Sequence, residues 1–385
     1  MSRADAPLVP SDEGLNHQIT ETFAAVLQAD RSWAEKICAS IGRKDGAVQI
    51  GFGLGKYINR NVMDAYAGVS RGVEQWTVRA SRELTPRPDT SSVGPIHYEI
   101  VEPLKKVRFR LEENDIQPIS FDLVFDGSDI PPFLENHEFR RQFIGYRTET
   151  DLVRYHQVGV PTGWLKLDGQ QYDINPQDWY CTRDHSWGVR YGVGLDPNDL
   201  QPGIDSSMFP MNFLWSPMRF VNPDGSPYSI HHFYLDIPIP GVPKTLFGGI
   251  EKADGSRENF TALMPKLNYD KVNRRLLGGE LHFTLENGAQ RMLKIEVVSD
   301  TGFHLGTGLY FGYKGQHHGQ WRGPQHVDGE YIECCTEPNQ VKELHQIRDC
   351  IIKITDGTNI GYANYQTVVT GAWPELGLKQ ESSFM

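Results

Sequence analysis

The sequence lacks the features that would direct a protein into a membrane or an export pathway. No apolar run approaches the roughly 20 residues that a transmembrane helix needs. Residues 1–7 have no apolar core followed by a small-residue cleavage site, as a secretory signal would. We therefore expect a soluble, cytoplasmic protein with no membrane insertion.

Cysteine pairs and basic clusters are also missing. The five cysteines are an odd number and contain no Cys-x-x-Cys spacing, which argues against a disulfide framework and a zinc knuckle. A net charge of −11, with no concentrated Lys/Arg patch to offset it, would repel phosphate backbones. We expect reduced thiols and no nucleic-acid partner.

Motifs for common cofactors and nucleophiles are incomplete. The stretch 51–56 is rich in glycine, but it lacks the spacing and the Ser/Thr of a phosphate-binding loop. No Gly-x-Ser-x-Gly elbow is present, and Cys181 lies too far along an extended chain from His185 to form a catalytic pair. His317 and His318 are adjacent and point to opposite faces of a strand, so one ion cannot bind both without a bend. We predict no cofactor and no metal.

Short alternating segments are abundant instead. Apolar and polar residues alternate over strand-length runs, and scattered Gly and Pro supply turns between them. Hairpin signals of the Asp-Gly or Asn-Gly type stand at 168–169, 254–255, 287–288 and 356–357. The predicted strands are 48–52, 97–101, 107–111, 119–125, 162–167, 171–174, 231–237, 245–251, 279–285, 290–298 and 350–356.

These strands predict an all-β fold of two antiparallel barrels or sandwiches. Apolar residues at three- and four-residue steps between residues 12 and about 40, including Trp33, Ile37 and Ile41, predict one or two helices before them. We predict an N-terminal helical extension over 1–44, a first β-domain over 45–212 and a second over 213–385. A wide barrel encloses an apolar cavity, which suits a hydrophobic small-molecule ligand.

The stretch from Arg183 to Arg190 places cations, a carboxylate, an imidazole and an indole in a strand-like segment. Alternation directs Arg183, His185 and Trp187 to one face and Asp184, Ser186 and Arg190 to the other. We expect the face with His185 and Trp187 to line a cavity. The structural alternative is a buried ion network of Arg183, Asp184 and Arg190, with Trp187 as core filling.

A second run, His231–Asp236, places His232, Tyr234 and Asp236 on one strand face. If both faces look into one cavity, an acid, two imidazoles, a phenol and an indole converge. A carboxyl group in an apolar pocket stays protonated near neutrality and can donate a proton to an alkene or alcohol. The aromatic faces would then stabilise the resulting cation.

The stretch 183–190, following the strands around Trp164 and Tyr172, resembles the carotenoid hydratases (hydroxyneurosporene synthases) and related lipocalin-like proteins. The likeness extends over most of 45–375 and is specific at the Asp-His-x-Trp core. The resemblance implies two tandem lipocalin-like β-domains and cofactor-free addition of water to a protonated isoprenoid double bond. The matching residues are Asp184, His185, Trp187, Tyr234 and Asp236. Related proteins also include cyclases of the Diels-Alder type.

Our leading hypothesis is a cofactor-independent lyase or isomerase, of the hydratase or dehydratase type, acting on a hydrophobic isoprenoid or polycyclic substrate. The catalytic residues would be Asp184 or Asp236 as the acid, His185 as its partner, and Tyr234. Together with Trp187, Tyr234 would shape the cavity and stabilise positive charge. The substrate-binding residues would be Arg183, Trp187, Arg190 and His232. A non-catalytic carrier and a pericyclic cyclase are the alternatives. The sequence does not fix the oligomeric state, and a homodimer stays open.

Overall fold

The computed structural model describes residues 8–18, 28–135, 140–195, 199–202, 209–240, 242 and 244–385. The described residues form strands, short 3-10 turns and one short α-helix, α1 (Pro338–Leu344). The strands of the first half are β1 (Trp33–Arg43), β2 (Val48–Tyr57), β3 (Val62–Arg71), β4 (Glu74–Glu83), β5 (Ser92–Val93), β6 (Ile96–Glu102), β7 (Lys106–Leu111), β8 (Ile119–Asp126), β9 (Phe133–Leu134), β10 (Arg141–Ile144), β11 (Arg147–Leu167), β12 (Gln170–Ile174) and β13 (Trp179–Val189). Those that follow are β14 (Met211–Val221), β15 (Pro227–Asp236), β16 (Thr245–Lys252), β17 (Arg257–Tyr269), β18 (Leu276–Leu285), β19 (Gln290–Val297), β20 (Phe303–His304), β21 (Gln325–Ile332), β22 (Arg348–Asp356) and β23 (Asn359–Thr370). The 3-10 turns are Pro10–Glu13, Ile58–Arg60, Leu305–Gly308, Pro374–Leu376 and Gln380–Ser382.

The first sheet has 14 strands and curves into a half-barrel. Its main path runs β21-β4-β3-β2-β1-β13-β11-β8-β7-β6-β5, and β9, β10 and β12 pair with β11. The concave side holds an apolar core that includes Phe52, Phe109 and Phe121, all fully buried. The strip 8–18 lies against this concave side, where the Glu13 carboxylate pairs with Arg183 of β13.

The second sheet closes on itself. Its path β19-β18-β17-β16-β15-β14-β23-β22 returns through pairing of β19 with β22, which gives a closed barrel of eight strands. Apolar residues that include Ile230, Phe283 and Ile354 fill its interior. The predicted all-β architecture with two units is confirmed.

Every predicted strand lies within or overlaps an observed one, and each hairpin signal joins two consecutive, paired strands. Two of these strands, β17 and β23, were not predicted. Asp168 and Gly169 both have positive φ, 52° and 78°, as a two-residue turn between β11 and β12 requires. The two-residue signals therefore located hairpins reliably in this chain.

The predicted helix over Trp33, Ile37 and Ile41 is wrong, because these residues belong to strand β1. Both faces of β1 are covered, one by the first core and the other by the second unit, so apolar residues occur on both faces and alternation disappears. The remainder of the helical prediction, 19–27, lies outside the described residues; in 8–18 the structure has a 3-10 turn, Pro10–Glu13.

The domain boundary stays a prediction. Strand β13 ends at Val189 and β14, the first strand of the closed barrel, begins at Met211. Strand β21 comes from the second half of the chain yet pairs with β4 in the first sheet. Among the described residues, no helix is long and apolar enough to cross a membrane.

Candidate functional site between the two barrels

A cavity of about 170 Å³ lies between the half-barrel and the closed barrel. Strands β1, β11 and β13 supply one wall, and β14, β15, β22 and β23 supply the other. Loop residues Tyr310, Phe311 and His318 line it as well. Because the walls come from two separate sheets, the cavity collects side chains that are far apart in sequence.

Asp349, at the start of β22, is the buried acid of the second wall. The side-chain amides of Asn364 and Gln366 each donate a 2.8 Å hydrogen bond to Asp349 Oδ1. Burial, aided by the nearby charge of Asp184, raises the pKa of Asp349 to about 6 in spite of these two bonds. Since both amides bind Oδ1, Oδ2 is the oxygen that is left to exchange a proton.

The Asn364 amide is itself held in one orientation. The Thr182 hydroxyl donates a 2.6 Å hydrogen bond to Asn364 Oδ1, so the nitrogen of the same amide faces Asp349. Thr182 belongs to β13 and Asn364 to β23. The acid of the second wall is therefore oriented partly by the first sheet.

Lys36 of β1 is the buried base of the first wall. Its Nζ lies 4.2 Å from the centroid of the Tyr310 ring, a cation–π contact when the amine is protonated. Burial and the positive charge of Arg190 lower the pKa of Lys36 to about 7. Near neutral pH this amine is therefore partly uncharged.

Tyr310 and Cys38 form a second polar contact next to Lys36. Cys38 Sγ lies 2.7 Å from the Tyr310 hydroxyl. Burial raises the pKa of the Cys38 thiol to about 11 and that of Tyr310 well above its ordinary value. Neither group is a thiolate or phenolate near neutral pH, so both act there only as neutral hydrogen-bonding groups.

Cations surround Asp184 on the first wall. Arg154 Nε is 3.7 Å from Asp184 Oδ2, and Arg154 Nη1 is 3.7 Å from the buried Glu135 carboxylate. Arg140 also pairs with Glu135, at 3.4 Å. Arg190 donates a 3.3 Å hydrogen bond to the Ser186 hydroxyl. The predicted network of Arg183, Asp184 and Arg190 is therefore wrong in its members: Asp184 pairs with Arg154, Arg190 bonds Ser186, and Arg183 pairs with Glu13 on the other face of β13.

Aromatic side chains form the apolar part of the lining. Phe233 stacks on Phe247 with ring centroids 4.6 Å apart, and the Arg140 guanidinium lies 4.6 Å from the Phe233 centroid. The Trp215 indole donates a 3.1 Å hydrogen bond to His156 Nε2, which fixes its ring at the wall. The cavity therefore offers apolar surface together with an acid, a base and several guanidinium groups.

The structure turns the predicted face of β13 away from this cavity. Arg183 and His185 are fully buried on the concave side of the half-barrel, where Arg183 forms a bidentate pair with Glu13. Trp187 stacks on His17 at 3.6 Å. The expectation that these three residues line a cavity is wrong, since the strip 8–18 covers them; Asp184 and Arg190, on the other face, do line it.

The predicted face of β15 is turned away as well. His232 lies in the closed barrel's interior, where its Nε2 is 2.9 Å from the Tyr365 hydroxyl. Asp236 pairs with Lys244 at 2.7 Å and accepts a 3.1 Å hydrogen bond from Tyr234. These three residues do not meet the β13 residues; the neighbours Phe233 and Leu235 line the cavity instead.

Sequence reasoning missed Lys36, Asp349 and Tyr310. A usable signal existed for the first two. Lys36 stands beside Glu35 in the apolar run 33–41, and Asp349 stands beside Arg348 immediately before the apolar stretch 350–352. Charged residues inside a buried strand need partners, so they identify sites. Tyr310 lies in a loop and carries no such signal.

Several solved structures are similar to this chain at low sequence identity. The crystal structure of CghA with Sch210972 is similar, with a TM-score of 0.50, 11% identity and coverage of 88% of this chain and 89% of that chain. A putative AttH from Nitrosomonas europaea has a TM-score of 0.49 and 11% identity, with coverage of 94% of this chain and 98% of that chain. Kievitone hydratase from Nectria haematococca has a TM-score of 0.44 and 12% identity, with coverage of 87% of this chain and 88% of that chain. The predicted lipocalin-like fold is confirmed, whereas the specific resemblance to the carotenoid hydratases stays a prediction.

Sequence comparison gives a family without an activity. A search among curated proteins finds no matching sequence. The model of a family described as "Family of unknown function (DUF8625)" matches residues 8–379. Because this match covers nearly the whole chain, the protein belongs to that family of unknown function.

Proposed function

We propose that the cavity between the barrels is the active site of a cofactor-independent lyase or isomerase. The substrate would be a hydrophobic isoprenoid or polycyclic molecule that carries an oxygen function. The observation that carries this proposal is that Lys36 and Asp349, whose pKa values are shifted toward each other, come from two different sheets and line one cavity. Acid–base catalysis near neutral pH needs such a pair.

The two groups divide the proton transfers in a defined way. Between pH 6 and 7 the dominant form has Asp349 ionised and Lys36 protonated. In a dehydration, Asp349 would take a proton from carbon while Lys36 gives one to the departing hydroxyl, so that a C–H and a C–O bond break, a C=C bond forms and water leaves. In hydration the two residues exchange roles.

The remaining lining residues support binding and charge stabilisation. Arg190 and Arg154 would hold the substrate's oxygen, where negative charge develops, because guanidinium groups in a water-poor site stabilise such charge strongly. Asp184 would keep Arg154 in place. Phe233 and Trp215 supply apolar contact for the hydrocarbon part.

The test is turnover of a panel of isoprenoid and polycyclic alkenes, alcohols and ketones in isotopically labelled water. We expect solvent hydrogen or oxygen to enter a product, and Asp349→Asn and Lys36→Met to lower kcat/KM about 10²- to 10⁴-fold each. Both substitutions nearly preserve the shape of the side chain. The matched controls are Asp236→Asn and Lys244→Met, which remove another Asp–Lys pair, 2.7 Å apart, outside the cavity lining.

The outcomes separate the rival functions. Full activity in Asp349→Asn and Lys36→Met, with loss when Phe233 is enlarged to Trp, would mean a pericyclic cyclase in which shape dominates. Tight binding across the panel with no isotope incorporation would mean a carrier. Loss of turnover in Asp236→Asn alone would mean that the active site lies in the interior of the closed barrel. Each of these results contradicts the proposal.

A further inference from the structure

Two histidines and a glutamate meet on the concave side of the half-barrel, across β13 from the cavity. They are His17 of the strip 8–18, Glu35 of β1 and His185 of β13, and one ligand atom from each lies within 4.8 Å of the others. Glu35 Oε1 is 2.5 Å from His17 Nδ1 and 3.8 Å from His185 Nε2. Glu35 and His185 are buried, and His17 is largely so.

The hydrogen bonds around His185 fix where its proton lies. The Tyr155 hydroxyl donates to the Glu13 carboxylate at 3.1 Å, since a carboxylate can only accept. The Tyr155 oxygen must then accept from His185 Nδ1, 3.2 Å away. In the neutral ring, His185 Nε2 consequently carries a lone pair and no proton. It is buried, has no hydrogen-bond partner among the described residues and faces the Glu35 carboxylate.

His17 lies between two carboxylates. Its Nε2 faces the Asp12 carboxylate at 3.4 Å, which leaves Nδ1 directed at Glu35. The Trp187 indole stacks on the His17 ring at an interplanar angle of 12°, which holds the ring plane. The 2.5 Å contact between His17 Nδ1 and a carboxylate oxygen requires either a proton on Nδ1 or a metal ion between the two atoms, and the lone pair of His185 Nε2 faces the same oxygen.

We propose that His17, Glu35 and His185 bind one divalent transition-metal ion of the Zn²⁺ class. Bond lengths of about 2.0–2.2 Å place the ligand atoms of a tetrahedral Zn²⁺ site roughly 3.3 Å apart. The two distances to Glu35, 2.5 and 3.8 Å, bracket that value, and the two nitrogens lie within 4.8 Å of each other. Asp12 and Tyr155 occupy the outer ring nitrogens, as partners of metal-bound histidines do.

The ion would act as a clamp and not as a catalyst. His17 is the one ligand that belongs to the strip 8–18, and the other two belong to the sheet, so the ion would fasten that strip over the concave core. The site is on the opposite face of β13 from Asp184 and Arg190. This inference is therefore independent of the proposed activity.

The experiment is a titration of the chelator-treated, full-length protein with Zn²⁺ against a chromophoric chelator, together with thermal unfolding. We expect one Zn²⁺ per chain, a higher Tm with Zn²⁺, and affinity lowered about a hundredfold or more in His17→Ala and in His185→Gln. The control is His282→Ala, which breaks a surface His–Glu pair 2.8 Å apart and should bind Zn²⁺ like the wild type.

A second readout avoids dependence on the folding of the variants. Co²⁺ added to the wild-type protein should give the visible absorption bands of a four-coordinate nitrogen and oxygen site, and Zn²⁺ should displace them. Absence of stoichiometric binding would overturn the proposal and leave the histidines as polar neighbours of Glu35. Equal affinity in His17→Ala and the wild type would overturn it too.

Discussion

At the scale of single residues, the buried pair of Glu13 and Arg183 shows how this fold absorbs charge. Arg183 donates to both Glu13 oxygens, at 2.7 and 2.6 Å, and the Tyr98 hydroxyl donates to Glu13 at 2.6 Å. Burial alone would raise the pKa of Glu13, but Arg183 and these hydrogen bonds lower it to about 2. The first strand face singled out by the sequence is therefore a structural anchor.

This anchor predicts an acid-sensitive contribution to stability. Because the folded-state pKa of Glu13 lies below its ordinary value of 4.5, its ionisation stabilises the fold above about pH 5, and this stabilisation is lost as pH falls toward 2. It amounts to on the order of 3 kcal/mol. Urea unfolding from pH 3 to 7 should show a shallower pH dependence in Glu13→Gln than in the wild type.

The control for that series is Glu375→Gln, which changes an exposed glutamate. It should reproduce the wild-type pH dependence. Equal pH slopes in Glu13→Gln and the wild type would show that Glu13 ionises normally in the folded protein and that the pair with Arg183 is not formed.

At the scale of elements, alternation predicted which residues share a strand face but could not predict which face meets a cavity. Both faces of β13 and β15 are buried, one in a barrel core and one between the barrels. His185 and His232, whose imidazoles made them candidate site residues, point into the barrel cores. The strands themselves were predictable because period-two patterning survives wherever one face meets water, as in β7.

The parts that could not be predicted depend on tertiary contacts. Strand β1 resembled a helix in sequence because packing on both sides removes its alternation. Asp349 and Lys36 become a pair only when the closed barrel docks on the half-barrel. No local sequence pattern encodes that docking, so the site could be identified only from the folded structure.

The alternation on β15 gives a prediction that compares two neighbouring residues. Phe233 lines the cavity, whereas Tyr234 points into the closed barrel and donates to Asp236. Phe233→Ala should weaken binding of a hydrophobic ligand about tenfold or more, because apolar contact area is lost. Tyr234→Phe should leave the affinity unchanged. Calorimetric titration of both variants with the best ligand of the panel measures this, and the reverse order of effects would contradict the assignment of faces.

At the scale of the whole molecule, the two halves of the chain are interlocked. Strand β21 pairs with β4 over eight residues, 325–332, and the Gln75 side chain donates to the His304 carbonyl at 2.9 Å. The half-barrel is therefore completed by residues that follow β19 in sequence. Removal of the second half leaves the edge of β4 unpaired, and an exposed edge strand favours aggregation.

Interlocking predicts that the halves do not fold separately. A fragment of residues 1–212 should be insoluble alone and soluble when co-expressed with 213–385, and the intact chain should unfold in a single calorimetric transition. Two separate transitions, or a soluble, monomeric 1–212 fragment with a native-like near-ultraviolet circular dichroism spectrum, would show that β21 is dispensable for the half-barrel.

The central claim is that the reactive site lies between the barrels and not inside either of them. A crystal structure of the protein with a ligand selected from the substrate panel tests it most directly. The account predicts ligand density in the cavity, with one polar atom within hydrogen-bonding distance of Asp349 Oδ2 and another near Lys36 Nζ. Density inside the closed barrel beside His232 and Tyr234, or against His185 in the half-barrel, would contradict it.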